Sequence, residues 1–147
     1  MPTDPDVEKL TGTLKSSLDT PVFVIDLDAM ERNIGKMASY FSSRPSNLRP
    51  HMKHHKTPEI AQLQLSAGAI GVCCQKLGEA EVMVDAGITD ILVTYEIIGS
   101  TKIHRLMHLN KRADVKVTVD DASNVSDLSE AAVIHGITLG VLVDMNV

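Results

Sequence analysis

Basic residues, with a potentially reactive amine among them, are concentrated between Arg49 and Lys56, in the sequence Arg-Pro-His-Met-Lys-His-His-Lys. The stretch stands out because the chain is acidic overall, with 14 lysines and arginines against 19 aspartates and glutamates. Alternate side chains of a strand share a face, so a strand here would point Arg49, His51 and Lys53 to one side. Neighbouring cations disfavour the ammonium form and lower the pKa of a lysine, as Schiff-base chemistry requires. The pattern makes Lys53 a candidate reactive amine.

Two other interpretations of this basic stretch stay open on composition alone. A run of charges is most often a solvated loop. Binding of nucleic acid is a weaker alternative, because the chain is acidic and has only two tyrosines, two phenylalanines and no tryptophan to stack on bases. The elements that flank the stretch bear on the choice.

A helix is predicted to begin directly after the basic stretch. Thr57 can cap the first free N–H groups. Pro58 suits the first helical turn, because backbone N–H groups there have no partner within the helix and the missing N–H of proline costs nothing. Lys53 then lies where a strand gives way to a helix. In parallel α/β folds, ligands and catalytic groups collect at this carboxyl end of the strands.

Strands and helices are predicted to alternate along the rest of the chain, at the spacing of βαβ units in a parallel sheet. The early apolar run at 22–25 is expected to form a separate strand that is covered on both faces. The later strands are predicted at 48–53, 69–74, 90–94, 114–119 and 141–144. A closed (β/α)8 barrel needs more strands than this. The pattern therefore predicts either a smaller open α/β sheet or a barrel cut short.

Length and composition are typical of one globular domain, since 147 residues with 44% apolar side chains can bury a sizeable core. Residues 1–19 are predicted to be a peripheral or flexible lead-in to a domain at 20–147. The polar start of the chain does not resemble a signal peptide, and no run is long enough to cross a membrane. A cytoplasmic location is expected, and neither a membrane nor a nucleic acid is an expected partner.

Cysteine and histidine pairs elsewhere are interpreted as structural. Cys73 and Cys74 are adjacent, which fits neither a disulfide framework nor the usual spacing of zinc ligands, so both are expected to be buried and inert. His104 and His108 are four residues apart on a predicted helix, a spacing that can grip a metal. Arg105 stands where the glutamate of H-E-x-x-H would be, so a solvated helix face is expected. No metal ligand is assigned.

Several segments, taken together and in order, resemble the D-threonine aldolase and D-serine dehydratase family, which is related to the alanine racemase N-terminal domain. The segments are Thr20–Ile34, Leu48–Ala61, Gly71–Glu81 and Asp90–Thr94. The resemblance implies a pyridoxal-phosphate (PLP) enzyme of fold type III. It also implies that the chain is the N-terminal part of a TIM-type (β/α)8 PLP-binding barrel, truncated after about five barrel strands. The lysine that holds PLP falls on Lys53 and not on Lys56.

The implied function is that of a PLP-dependent lyase acting on β-hydroxy D-amino acids. The run Gly71–Glu81 is closer to the aldolase branch, so cleavage of D-threonine to glycine and acetaldehyde is the main hypothesis. A D-serine dehydratase or a 3-hydroxyaspartate aldolase-type enzyme is the alternative within the family. A non-catalytic PLP-binding protein and an inactive fragment are the alternatives outside it.

The resemblance also implies site residues and partners. Lys53 is the expected catalytic residue, and Arg49, His51 and Gln75 are expected to join it in binding the cofactor. A divalent metal (Mn, Mg or Zn) is implied for the full-length protein, with ligands that are not in this chain. The full-length protein is expected to be a homodimer acting on a small D-amino acid, whereas the 147 residues alone are expected to be inactive.

Overall fold

The computed structural model describes residues 10–145, which belong to two compact units, 1–32 and 33–147. The described part of the first unit contains a 3-10 helix at Lys15–Ser17 and the first turns of helix α1, Leu27–Ser42. The carboxylate of Asp26 accepts a hydrogen bond from the N–H of Ala29 at 2.9 Å and thereby caps α1.

The predicted strand at 22–25 is wrong. Residues 22–26 have no regular secondary structure, and Phe23 is fully exposed while Val22, Val24 and Ile25 are each about half exposed. A strand persists only when its backbone groups bond to a neighbour. Among residues 10–145, no backbone group of 22–25 bonds to another strand. An apolar run therefore does not by itself produce a strand.

The second unit alternates strands and helices as predicted. Its four parallel strands lie in chain order within one sheet: β1 (Val72–Cys74), β2 (Asp90–Val93), β3 (Asp114–Val119) and β4 (Val141–Val143). The helix that precedes β1 is α2 (Pro58–Ser66), and the helices between successive strands are α3 (Leu77–Asp85), α4 (Ser100–Asn110) and α5 (Ala122–His135). This confirms an α/β fold with a parallel sheet.

The predicted strand at 48–53 is reduced to a single β-bridge, between His51 and Cys73. The N–H of Cys73 donates to the carbonyl of Pro50 at 2.8 Å, and the N–H of Met52 donates to the carbonyl of Cys73 at 2.7 Å. Pro50 has no N–H to donate, and the chain enters a turn from Met52 onward. The predicted neighbour of β1 is therefore present as a bridged segment, but the extent of the strand was wrong.

Side chains of the sheet alternate between two faces. One face is covered by helices, and its residues are at most 2% exposed: Val72, Cys74, Ile91, Val93, Val115, Val117 and Val119. The other face is only partly covered and is called here the polar face; its polar members include Arg49, His51, Asp90, Thr94, Asp114, Lys116 and Thr118. The carboxyl ends of the strands on this polar face are where the sequence places the candidate site.

Both ends of α5 are capped. Asp121 accepts hydrogen bonds from the N–H groups of Ser123 at 2.8 Å and Asn124 at 3.3 Å. Gly136 ends the helix in the left-handed region, with φ of +64°, which glycine adopts without steric penalty. His135 is thereby placed in the last turn of α5. None of the helices within residues 10–145 has the length and apolar content to cross a membrane.

Candidate functional site

Lys53 lies in the turn that follows the bridged segment, at the carboxyl end of the sheet. Its side chain is exposed, and within residues 10–145 its ammonium group has no ion-pair or hydrogen-bond partner. Lys56, the other lysine of the basic stretch, has its Nζ 3.8 Å from Oε1 of Glu79. Of these two lysines, Lys53 is the one that offers a free amine.

His51 is held through both of its ring nitrogens. The backbone N–H of Lys53 lies 3.2 Å from Nδ1, which must therefore accept. Nε2 then carries the proton and donates to Oγ1 of Thr94 at 3.1 Å. The Thr94 hydroxyl in turn donates to the carbonyl oxygen of Cys74 at 3.3 Å. This chain of bonds fixes one neutral tautomer of His51 beside Lys53.

The surroundings of His51 favour that neutral form. Burial is the main cause of the lowered pKa of His51, and the positive charges of Lys53 and His54 lower it further. The carboxylate of Glu79 acts in the opposite direction but is outweighed. Near neutral pH the ring therefore adds no positive charge beside the candidate amine.

The two following histidines occupy different environments. His54 is exposed, whereas His55 is half-buried. Nδ1 of His55 accepts a hydrogen bond from the N–H of Thr57 at 3.0 Å, and the Thr57 hydroxyl donates to the carbonyl of His55 at 2.7 Å. His55 therefore shapes the turn that leads into α2, whereas the His54 side chain makes no such hydrogen bond within residues 10–145.

Gln75 follows β1 directly and lies at the same end of the sheet as Lys53. The bridge between His51 and Cys73 sets this placement, since Gln75 follows the end of β1 and Lys53 lies in the turn that directly follows the bridge. The backbone N–H of Gln75 donates to Oε2 of Glu79 at 2.8 Å, which fixes the start of α3. The structure thus brings His51, Lys53 and Gln75 together at one edge.

Arg49 is separated from this group along the strand direction. Its guanidinium donates to both carboxylate oxygens of Asp90, at 3.0 and 3.1 Å, at the beginning of β2. Lys116 Nζ reaches the same carboxylate at 3.1 Å. Thr94, the partner of His51, instead follows the end of β2. Arg49 shares the polar face as predicted, but at its amino end, and its contact with a cofactor stays a prediction.

The charges around Asp90 settle its ionisation. Burial alone would raise the pKa of the Asp90 carboxyl, but the hydrogen bonds and charges of Arg49 and Lys116 outweigh burial and hold that pKa below its ordinary value. This ion-paired group is therefore a fixed structural element at the amino end of the polar face.

Two threonines on the polar face were not foreseen as site residues. Thr94 bonds His51, and Oγ1 of Thr118 is buried without a hydrogen-bond partner among the described residues. Thr118 is in register with Leu142 near the carboxyl end of the sheet. The available sequence signal is a polar residue that closes or follows an apolar strand run, because such a residue falls at the edge where ligands bind.

Cys73 and Cys74 are free and buried, as predicted. Burial raises the pKa of the Cys73 thiol, and it raises that of Cys74 to about 12 with help from the negative charge of Glu79. Thiols with raised pKa values are poor nucleophiles near neutral pH. Neither cysteine is suited to covalent catalysis.

The amino-acid sequence matches the family described as "Alanine racemase, N-terminal domain" over residues 25–147. The 3-hydroxy-D-aspartate aldolase of Paracoccus denitrificans (strain Pd 1222) is 46% identical over 143 residues, which cover 96% of this chain and 37% of that protein. The D-threonine aldolase of Arthrobacter sp is 44% identical over 136 residues, or 92% of this chain and 36% of that protein.

The fold agrees with a solved relative. The crystal structure of D-threonine aldolase from Filomicrobium marinum has a TM-score of 0.85 at 52% identity, covering 87% of this chain and 35% of that one. The chain thus spans about a third of the length of these relatives, as expected for part of the barrel that the resemblance implies. The resemblance inferred from the segments around Asp26 and Lys53 is confirmed: the chain belongs to the alanine racemase N-terminal domain family.

Proposed function

We propose that this chain is the cofactor-holding part of a PLP-dependent lyase that acts on β-hydroxy D-amino acids. Aldol cleavage of D-threonine to glycine and acetaldehyde is the proposed reaction. The observation that carries the proposal is the free, exposed amine of Lys53 at the carboxyl end of a parallel sheet. The names of the similar proteins, which are aldolases of D-threonine and 3-hydroxy-D-aspartate, support it.

The residues at this end of the sheet fit PLP. Among the described residues, the amine of Lys53 has no partner and is available to the aldehyde, and the buried hydroxyl of Thr118 has no hydrogen-bond partner. Lys53 would hold the cofactor covalently, and His51 and Gln75 would contact it, with Arg49 as the more distant predicted contact. When bound, PLP withdraws electrons from the substrate bond at Cα that breaks.

The chain's own contribution is to present one amine in a fixed place. Met52, which is fully buried, anchors the turn in the core on one side of Lys53. In addition, His51 accepts a hydrogen bond from the backbone N–H of Lys53 and is itself fixed through Thr94. The rigid turn leaves the Lys53 side chain free to swing, so its Nζ can hold the cofactor or, once released, accept a proton from the substrate.

A dehydratase is the alternative within the family. In that reaction Nζ of Lys53 would take the proton from Cα, and the β-hydroxyl would leave. We place the divalent cation of either reaction (Mn, Mg or Zn) outside this chain, and we expect the full-length protein to be a cytoplasmic homodimer. A protein that binds PLP without turnover is the alternative from another class.

Product analysis separates these functions. The full-length protein is incubated with D-threonine, D-serine or L-threonine in the presence of PLP and a divalent cation. The proposed aldolase releases acetaldehyde and glycine from D-threonine, whereas a dehydratase releases a 2-oxo acid and ammonia from D-serine. Turnover of L-threonine alone would contradict the proposal. PLP binding without any product would instead identify a non-catalytic binding protein.

A further inference from the structure

We propose that His104, His135 and His108 form a binding site for a divalent transition-metal ion of the imidazole-preferring class, such as Zn²⁺. These residues are called here the histidine cluster. The site lies on α4 and at the end of α5, helices that pack on the covered face of the sheet, and it is separate from the Lys53 end of the polar face. It does not depend on the function proposed above.

The rings of the histidine cluster are already in contact. Nδ1 of His104 lies 2.9 Å from Nε2 of His135, and the centroids of these two rings are 5.2 Å apart. The ring of His108 meets that of His135 edge-on, with centroids 5.0 Å apart. His104 and His108 are four residues apart on one helix, so they project from the same side of α4. Three imidazoles are thus gathered at one surface point.

A metal ion can replace the proton that His104 and His135 share. Zinc–nitrogen bonds of about 2.0–2.1 Å in tetrahedral geometry separate two ligand nitrogens by about 3.3 Å. The present separation of 2.9 Å would have to widen only slightly. One of the two nitrogens now carries a proton, which would move through solvent to the other nitrogen of the same ring. This change of tautomer leaves the net charge of the ring unchanged, and the lone pairs of both facing nitrogens then point at the ion.

The third ligand requires a ring rotation. Within residues 10–145, no group of three or more histidine, cysteine or carboxylate side chains is preset to hold a metal ion. His104 and His135, whose facing nitrogens already lie 2.9 Å apart, are the first two ligands of the proposed site. His108, which is exposed and free to turn, is the third, and water completes the coordination.

The charges facing the histidine cluster favour ligation on balance. Lys111 and the two other imidazoles of the cluster face His135. Asp127 and Glu130 line the cavity between α4 and α5 beside His104, where their carboxylates attract a cation. Lys111 is the one of these groups that opposes binding by repulsion.

The charged groups on the other side of His108 are already paired. Glu81, Asp85, Arg105 and Arg112 line the surface beside it. Arg105 donates to both oxygens of Glu81, and Arg112 Nη2 lies 2.8 Å from Oδ1 of Asp85. The opposite charges within each of these two ion pairs cancel, so the pairs add little net charge beside His108. Lys111, whose charge acts on His135, is the cation whose removal should strengthen metal binding.

Isothermal titration calorimetry of the chelator-treated, PLP-free chain with Zn²⁺ tests the proposal, and Co²⁺ absorption reports the ligands. We expect one ion per chain. His104→Gln and His135→Gln should each weaken binding at least about tenfold, and His108→Gln less. Lys111→Gln should tighten it. His54→Gln is the matched control, because His54 is an exposed histidine outside the cluster, and it should change nothing.

Three results would overturn the proposal. One is the absence of saturable binding, and another is equal affinity in the wild type and the His104 and His135 variants. The third is loss of binding in His54→Gln, which would place the ion at the basic stretch. Circular dichroism checks that each variant folds. If a histidine variant does not fold, Lys111→Gln decides, since unchanged or weaker affinity in that variant contradicts the site.

Discussion

The backbone N–H of Lys53 donates a hydrogen bond to Nδ1 of His51 at 3.2 Å, so the ring of His51 fixes the main chain of the candidate amine. The other ring nitrogen is committed to Thr94. A group with both nitrogens occupied positions its neighbour and does not itself exchange protons with a substrate. His51 is therefore expected to act through Lys53.

Replacing His51 with alanine should lower kcat/KM of the full-length protein about 30-fold. Two hydrogen bonds of about 1 kcal/mol each are lost, and about 1.4 kcal/mol corresponds to a factor of ten. Thr94→Val removes the bond to Nε2 and should have part of this effect, while Thr94→Ser keeps the hydroxyl and should retain activity. Equal activity of the Thr94 valine and serine variants would show that the chain of bonds does not matter.

The histidine contribution to the free energy of unfolding should rise with pH up to about 6.5 and then level off. His51, His55 and His135 all have pKa values below the ordinary 6.5, mainly because of burial. The unfolded chain therefore binds more protons than the folded one between the lowered values and 6.5. The stabilisation is fully present above that window and is lost as the pH falls through it.

Denaturant unfolding between about pH 5 and pH 8 measures this dependence. A variant with His51, His55 and His135 all replaced by glutamine should show a flatter profile than the wild type. A wild-type stability that increases as the pH falls through this range would contradict the assignment of neutral histidines.

Arg49 and Asp90 should be coupled by about 1 kcal/mol in a double-mutant cycle. The pair is bidentate, but the side chain of Asp90 is 38% exposed, so solvent screens part of the attraction. Arg49→Lys and Asp90→Asn, singly and together, supply the cycle through their free energies of unfolding. If Arg49 instead contacts the cofactor, Arg49→Lys will weaken PLP binding while the measured coupling is near zero.

Gly71→Ala should destabilise the fold by about 1–3 kcal/mol. A Cβ atom at Gly71 would lie 2.6 Å from the carbonyl oxygen of Asp90 and closer still to the guanidinium of Arg49. Gly35→Ala is the matched control, since nothing lies within 4 Å of a Cβ there and α1 should gain slightly from alanine. Thermal unfolding of both variants measures the difference. A neutral Gly71→Ala would show that this approach is not tight.

The sequence predicted the parallel sheet well because its strands are short apolar runs flanked by helix caps. The bounds of β3 agree with the prediction, and those of β2 differ by one residue. The run at 22–25 has the same local pattern, but it has no bonded neighbour among the described residues. Strand formation depends on pairing, which a local pattern cannot report.

The candidate site was predictable in type but not in its contacts. Lys53 and Gln75 could be placed at strand ends, where functional groups collect, and their contact with a cofactor stays a prediction. The bond between His51 and Thr94 joins residues 43 positions apart, and His104 meets His135 across 31. Such pairs depend on the register of the sheet and the packing of the helices, and local sequence patterns do not determine either of them.

Borohydride reduction of the PLP-loaded full-length protein, followed by peptide mapping, tests the central claim most directly. The adduct should be found on Lys53, because its amine has no partner among residues 10–145 whereas Nζ of Lys56 lies 3.8 Å from Oε1 of Glu79. Lys53→Ala should abolish the absorption of the covalently bound cofactor, and the matched variant Lys56→Ala should keep it. An adduct on Lys56, or on no lysine of this chain, would contradict the account.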